Sequence, residues 1–281
     1  MIPSNRPHRP IMFSKLRFTL LLPLAALLAC GANPTPSAPA SNYLNLTGDW
    51  AAMVPSTLGA GAPPISDFLG ALQSSGGTVT GTLRAISLSI APCVPFSQDL
   101  QATGIIDANG NLTLAIPMAG GTATITAAIA APESYTTGTW QIVGGACAML
   151  STAIQIAEFA PATGTYTGVL NELDSSGLPV AGTATNVTVA LTQSTTPNSD
   201  GDFPVSGAVT ATGACSGTFP VTNEVVEGGV IMPVPTTFST GVLVGGIIPT
   251  ATTLIADFSP SPACGSQVYS AQVYSGILTR Q

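Results

Sequence analysis

Residues 122–129 read Thr-Ala-Thr-Ile-Thr-Ala-Ala-Ile, and residues 187–192 read Val-Thr-Val-Ala-Leu-Thr. Both stretches alternate small or polar side chains with apolar ones, and both are rich in β-branched residues. Successive side chains of a strand point to opposite faces, so a period of two marks strands with one face buried and the other in water. Outward from these two stretches, similar short runs recur at 78–86, 111–116, 186–193, 203–212 and 252–258, parted by Gly, Pro, Asn and Asp. An Asn-Gly step in Asp107-Ala-Asn109-Gly-Asn111 predicts a hairpin between two of them. Only 65–73 and 148–157 have the closer apolar spacing of short helices. The expected fold class is all-β and antiparallel.

A repeat shows through. Asn45-Leu-Thr-Gly-Asp-Trp50 opens the first half, and Gly164-Thr-Tyr-Thr-Gly-Val-Leu170 occupies the corresponding place in the second. Each half continues with a Gly-rich strand leading to a cysteine, Cys93 or Cys215. A Thr-Gly-x-Trp or Thr-Gly-x-Leu strand follows at 137–140 or 240–243, then a second cysteine, Cys147 or Cys264. The segment Tyr166-Thr-Gly-Val-Leu170 also matches Tyr274-Ser-Gly-Ile-Leu278, as a shared closing strand would. Two related antiparallel β-modules are therefore expected at 44–161 and 162–281, each a small β-barrel or β-sandwich. One larger continuous barrel or sandwich is the alternative. Four cysteines allow three connectivities. The repeat favours Cys93–Cys147 and Cys215–Cys264, one disulfide per module, each closing a loop of about 50 residues and contributing roughly 4 kcal/mol.

The charge inventory is more restrictive than the fold. The chain holds 6 Lys and Arg, 13 Asp and Glu, and 1 His. Arg6, His8, Arg9, Lys15 and Arg17 all precede residue 30, so only Arg84 and Arg280 stand as cations beyond it. Nucleic acid attracts proteins through clustered Lys and Arg, and there is no cluster, so no nucleic-acid partner is expected. Anionic headgroups are excluded for the same reason. Beyond residue 30 there is no histidine base for a Ser-His-Asp or Cys-His mechanism and no lysine for a Ser-Lys one. What survives is chemistry that carboxylates perform alone, namely glycan hydrolysis by two acids or calcium binding.

The N-terminus carries a different signal. Arg6, Arg9, Lys15 and Arg17 precede an apolar run over 18–29 that is too short to span a bilayer. It ends Leu27-Leu28-Ala29-Cys30-Gly31, with a small residue before a cysteine. This resembles the lipobox of bacterial lipoproteins. The resemblance implies a signal peptide at 1–29, cleavage before Cys30, and lipidation (palmitate included) of Cys30 as the new N-terminus. Residues 30–43, rich in Pro, Ser and Ala, then read as a solvated tether. Gly31 is not the Asp that marks inner-membrane retention in enteric bacteria, so the resemblance favours the outer membrane of the cell envelope. Translation from Met1 or from Met12 yields the same mature chain.

Few other residues point to a site. Gly48-Asp49-Trp50 resembles the Gly-x-Trp start of lipocalin-type barrels, with Trp50 expected to plug a barrel end. Asn198, Asp200 and Asp202 place oxygens at alternate positions, as some calcium loops do, and so do Asp107, Asn109 and Asn111. Glycine stands fourth in both, where an EF-hand loop needs it sixth, so turn chemistry is the preferred reading. No cofactor is expected, nor any metal or catalytic residue. The leading expectation is a non-enzymatic lipoprotein, a tethered structural or interaction module anchored by its N-terminal lipid. A lipocalin-like protein binding a small apolar ligand is the alternative, and a carboxylate glycan hydrolase comes third.

Overall fold

The computed structural model describes residues 43–53, 67–86, 98–131, 133–234, 243–260 and 273–281. They form β-strands joined by turns, with no helix among them. The first eight strands are β1 (Gly48–Met53), β2 (Asp67–Ser75), β3 (Thr78–Ile86), β4 (Asp99–Ile106), β5 (Asn111–Met118), β6 (Gly121–Ala128), β7 (Thr136–Val143) and β8 (Met149–Phe159). Each pairs antiparallel with the next, and β8 returns to β1, which closes a barrel. The next eight are β9 (Gly164–Glu172), β10 (Thr185–Gln193), β11 (Phe203–Gly213), β12 (Gly217–Glu227), β13 (Val230–Pro233), β14 (Leu243–Ile247), β15 (Thr253–Phe258) and β16 (Tyr274–Arg280). They close in the same way through β16 and β9. The molecule is thus two eight-stranded antiparallel barrels, and the single larger barrel is not formed.

Strand alternation builds each core. Along β10 the burial pattern alternates at every residue, with Val187, Val189 and Leu191 turned inward and Asn186, Thr188 and Thr192 outward. Barrels with n of about eight are just wide enough for side chains to fill. In the first, Trp50, Phe68 and Trp140 lie inside, with Phe68 and Trp140 edge to face at 5.9 Å. In the second, Tyr166, Phe219, Phe258 and Tyr274 take that place. Outside the second barrel, Thr253, Thr279, Thr167, Thr188, Thr210 and Thr218 stand opposite one another in succession across six strands. An apolar interior under a threonine-rich exterior is the pattern of a barrel facing water, the reverse of one facing lipid.

The two matched Tyr-x-Gly-x-Leu segments turn out to be neighbours. They lie on β9 and β16, which pair antiparallel to close the second barrel, with Gly168 opposite Leu278. A Cβ on Gly168 would meet Leu278 Cδ2 at 2.9 Å, and one on Gly276 would meet Leu170 Cδ2 at the same distance. Each glycine leaves the space its neighbour's leucine fills.

Two local expectations fail for one reason. Residues 67–73 and 149–157, read as helical, belong to β2 and β8. In β2, Phe68, Leu69, Ala71 and Leu72 are all buried, because Phe68 and Leu72 face the interior while Leu69 and Ala71 face the second barrel. Burial on both faces removes the polar half of the alternation and leaves an apolar spacing like that of a helix. In β8, Ile154 and Ile156 point inward and Ala157 and Phe159 outward, again into buried surroundings.

The repeat holds in part at the level of strands. Cys93 falls in the chain between the third and fourth strands of its barrel, as Cys215 does in the other, and Cys147 and Cys264 between the seventh and eighth. The Thr-Gly-x-Trp match is displaced, since Trp140 is on the seventh strand of its barrel and Leu243 on the sixth of the other.

Candidate functional site: a buried charge seam between the barrels

A segment of four residues, 160–163, connects the barrels and is strapped to the second. Ala162 donates its N–H to Gln193 Oε1 at 2.7 Å, and Arg280 donates from Nη2 to the Thr163 carbonyl at 2.6 Å. So short a link sets the outer face of β1, β2 and β3 against the second barrel. Ala51, Leu69, Ala157 and Phe159 form a small apolar patch there, with Met53, Ile86 and Val230 at its edge.

Two tight turns of the second barrel meet this face. Glu227 pairs with Val230, leaving Gly228-Gly229 as a two-residue hairpin loop. Both glycines have positive φ, 56° and 75°, as the type I′ turn requires. Their two N–H groups donate to Asp49, Gly228 to Oδ1 at 2.6 Å and Gly229 to Oδ2 at 2.8 Å. The second turn is 198–202. There Asn198 Oδ1 accepts the N–H groups of Asp200 and Asp202, each at 2.9 Å, and the Asn198 carbonyl accepts that of Gly201.

The loop named as a calcium candidate shares its bonding with two others. The same bonds recur at Asp107, whose Oδ1 accepts from Asn109 and Asn111, and at Asp174, whose Oδ1 accepts from Ser176 and Leu178. Each loop has its glycine fourth, at Gly110, Gly177 or Gly201, with φ of 83°, 76° and 90°. In each loop the side-chain oxygen at the first position caps the hairpin turn. Among the described residues no group of three His, Cys, Asp or Glu is arranged to hold a metal ion.

Asp202 instead turns to Arg84. The guanidinium donates from Nη1 to Glu227 Oε2 at 2.7 Å, from Nη2 to Asp202 Oδ2 at 3.4 Å, and from Nε to Asp99 Oδ1 at 3.1 Å. Arg84 and Asp99 are partners across β3 and β4, whereas Asp202 and Glu227 come from the other barrel. The Asp202 and Glu227 side chains are 1% and 0% exposed, so this is a dry site with one cation and an excess of carboxyls. Burial pushes Glu227 up to about 8, with Asp202, Asp49 and Asp99 adding to the effect and Arg84 opposing it. Burial likewise raises Asp49 to about 7 against the pull of the two glycine amides. Asp202 is raised by burial too. For Arg84, burial alone lowers the pKa, but Glu227, Asp202 and Asp99 outweigh it and the net shift is upward.

The other expected positions are distributed elsewhere. Trp50 lies inside the first barrel, its Nε1 donating to the Leu46 carbonyl at 2.9 Å. Cys147 and Cys215 are not free thiols, and their expected partners, Cys93 and Cys264, lie outside the described residues. The signal peptide, Cys30 and nearly all of the tether lie outside them as well. Sequence reasoning missed Asp49, Arg84, Asp99 and Glu227 as a group. One signal was present: Arg84 is the lone cation in the middle of a chain with so many acids, and Glu227 is an acid set between Val226 and a Gly-Gly step. No protein-family model, curated protein or solved structure matches the chain.

Asp202 and Glu227 are shut off from water within the seam, while Asp99 at its edge is partly exposed. Asp99, Asp202 and Glu227 each accept from Arg84 through one oxygen, and Asp49 accepts from two backbone amides.

Proposed function

We propose that this chain is a non-enzymatic cell-envelope lipoprotein, a two-barrel structural or interaction module carried on a lipid tether. One observation supports the module half of this reading above all: the barrel interiors are occupied by the protein's own large side chains, Trp50, Phe68 and Trp140 in one and Tyr166, Phe258 and Tyr274 in the other. The anchor half rests on the lipobox at Cys30 with the export signal before it. Outer-membrane placement follows from Gly31 by the same resemblance. One disulfide within each barrel, Cys93–Cys147 and Cys215–Cys264, completes the proposal.

The test uses the full chain in a Gram-negative cell. Mass spectrometry of the N-terminal peptide is expected to find acylated Cys30, and Cys30→Ser is expected to move the protein from the membrane to the soluble fraction. An unmodified Cys30, or a Cys30→Ser protein still in the membrane, refutes the anchor. For the lipocalin-like alternative, solvent extraction of the purified protein should release a stoichiometric apolar ligand. Filled interiors speak for an empty extract.

A further inference from the structure

The geometry points to a proton-operated joint: the seam of Asp49, Arg84, Asp99, Asp202 and Glu227 takes up protons as the barrels dock, is held most tightly in acidic water, and loosens progressively as the water turns mildly alkaline. This goes beyond the anchoring proposal and does not depend on it.

The charged groups facing one another come from both barrels, and β2, β8 and β13 add apolar side chains beside them. The first barrel supplies Asp49 from β1, Arg84 from β3 and Asp99 from β4; the second supplies Asp202 from the turn before β11 and Glu227 from the end of β12. Asp99 is partly exposed, but one guanidinium cannot neutralise the three buried carboxylates of Asp49, Asp202 and Glu227, and away from water the surplus charge is costly. Two buried carboxyl oxygens of the cluster, Glu227 Oε1 and Asp202 Oδ1, have no hydrogen-bond partner. An ionised carboxylate can only accept, so such an oxygen beside other acceptors is unsatisfied; protonated, it becomes a donor. A metal ion is a poorer occupant than a proton. Arg84 already fills the centre at 2.7 Å from Glu227, and both oxygens of Asp49 are taken by the Gly228 and Gly229 amides.

The direction follows from linkage. Docked, Glu227 and Asp49 hold protons that they release when the seam opens to water, so docking is proton uptake. Raised carboxyl pKa values give a contribution that is complete below the ordinary range and is lost as pH rises through the docked values. The window runs from the ordinary 3.8 and 4.5 up to about 7 for Asp49 and about 8 for Glu227.

Hydrogen exchange on the full chain tests this, with rates corrected for the intrinsic effect of pH. The Gly228 and Gly229 amides report the seam, and the amides of β10 report a barrel core. Between about pH 6 and about pH 9, seam protection is expected to fall on the order of tenfold to a hundredfold while β10 is unchanged. Glu227→Gln, which imitates the protonated acid, is expected to shrink the fall to the part that Asp49 retains, and Asp202→Asn serves as a second variant with the same readout. Seam protection that is constant in the native chain overturns the proposal. So does loss of the seam and β10 together, or a pH profile in both variants equal to the native one.

Discussion

Arg84 and Glu227 stand 143 residues apart in the chain and meet at 2.7 Å across the junction of two barrels, both side chains withdrawn from water. Each barrel closes on itself without this pair. What the pair decides is how one barrel sits against the other.

Removing the cation should therefore cost more than the hydrogen bonds it makes. Arg84→Met leaves Asp202 buried without its counter-charge and Glu227 Oε2 without its donor, and breaking a buried pair from one side costs about 3–5 kcal/mol. Chemical denaturation of Arg84→Met, Glu227→Gln and the double variant measures it. The double variant is expected to lose less than the two single losses added together, because Gln no longer needs the cation.

Stability should fall, not rise, on going from mildly acidic to alkaline solution. Glu158, on β8 beside Trp50, is pushed by burial and by Glu133 to about 7, in the same direction as Asp49 and Glu227. In all three the folded state binds a proton that the unfolded chain has released above its ordinary range. The contribution is full in acid and lost as pH rises through 7 to 8. Asp107, which Asn111 and Asn109 hold below its usual range, works in the opposite sense at lower pH. The transition temperature is expected to drop on passing from about pH 5 to about pH 9, and Glu158→Gln and Glu227→Gln each to flatten the slope.

The Gly-Gly turn is a further weak point. A Cβ on Gly228 would lie 2.5 Å from Leu69 Cδ2, and one on Gly229 would strike the ring of Phe159. Both positions also demand positive φ. Alanine at either is expected to cost about 1–3 kcal/mol and to expose the Asp49 seam, read as faster exchange of the turn amides. Gly177→Ala, which meets nothing within 4 Å, carries only the backbone part of that penalty and is the comparison.

The disulfide pairing has its own test. In sequence, Cys93 and Cys147 follow the third and seventh strands of the first barrel, and Cys215 and Cys264 follow the third and seventh of the second. Non-reducing peptide mapping is expected to recover Cys93–Cys147 and Cys215–Cys264. A cross-link between barrels would refute the pairing. Cys215→Ser is expected to cost about 4 kcal/mol through the lost loop constraint. Cys215 is fully buried in the core, so the cost should exceed that of Cys147→Ser, whose site is less enclosed.

The sequence by itself determined the strands, because a period of two is a local property. Thr78–Ile86 is read at its true bounds, and residues 122–129 and 186–193 lie within a residue of β6 and β10. It also determined the stock of chemistry, since two cations and no histidine beyond residue 30 follow from counting. Only the tertiary structure decided where alternation fails and which acids meet. In Asp67–Ser75 a second barrel covers the outer face, and no window along the chain contains that barrel. Asn198, Asp200 and Asp202 look alike in sequence, yet one caps a turn, one stays exposed and one reaches Arg84. Local pattern fixes backbone period, whereas the fate of a carboxyl depends on the dielectric and the partners brought to it by closure of two rings of strands.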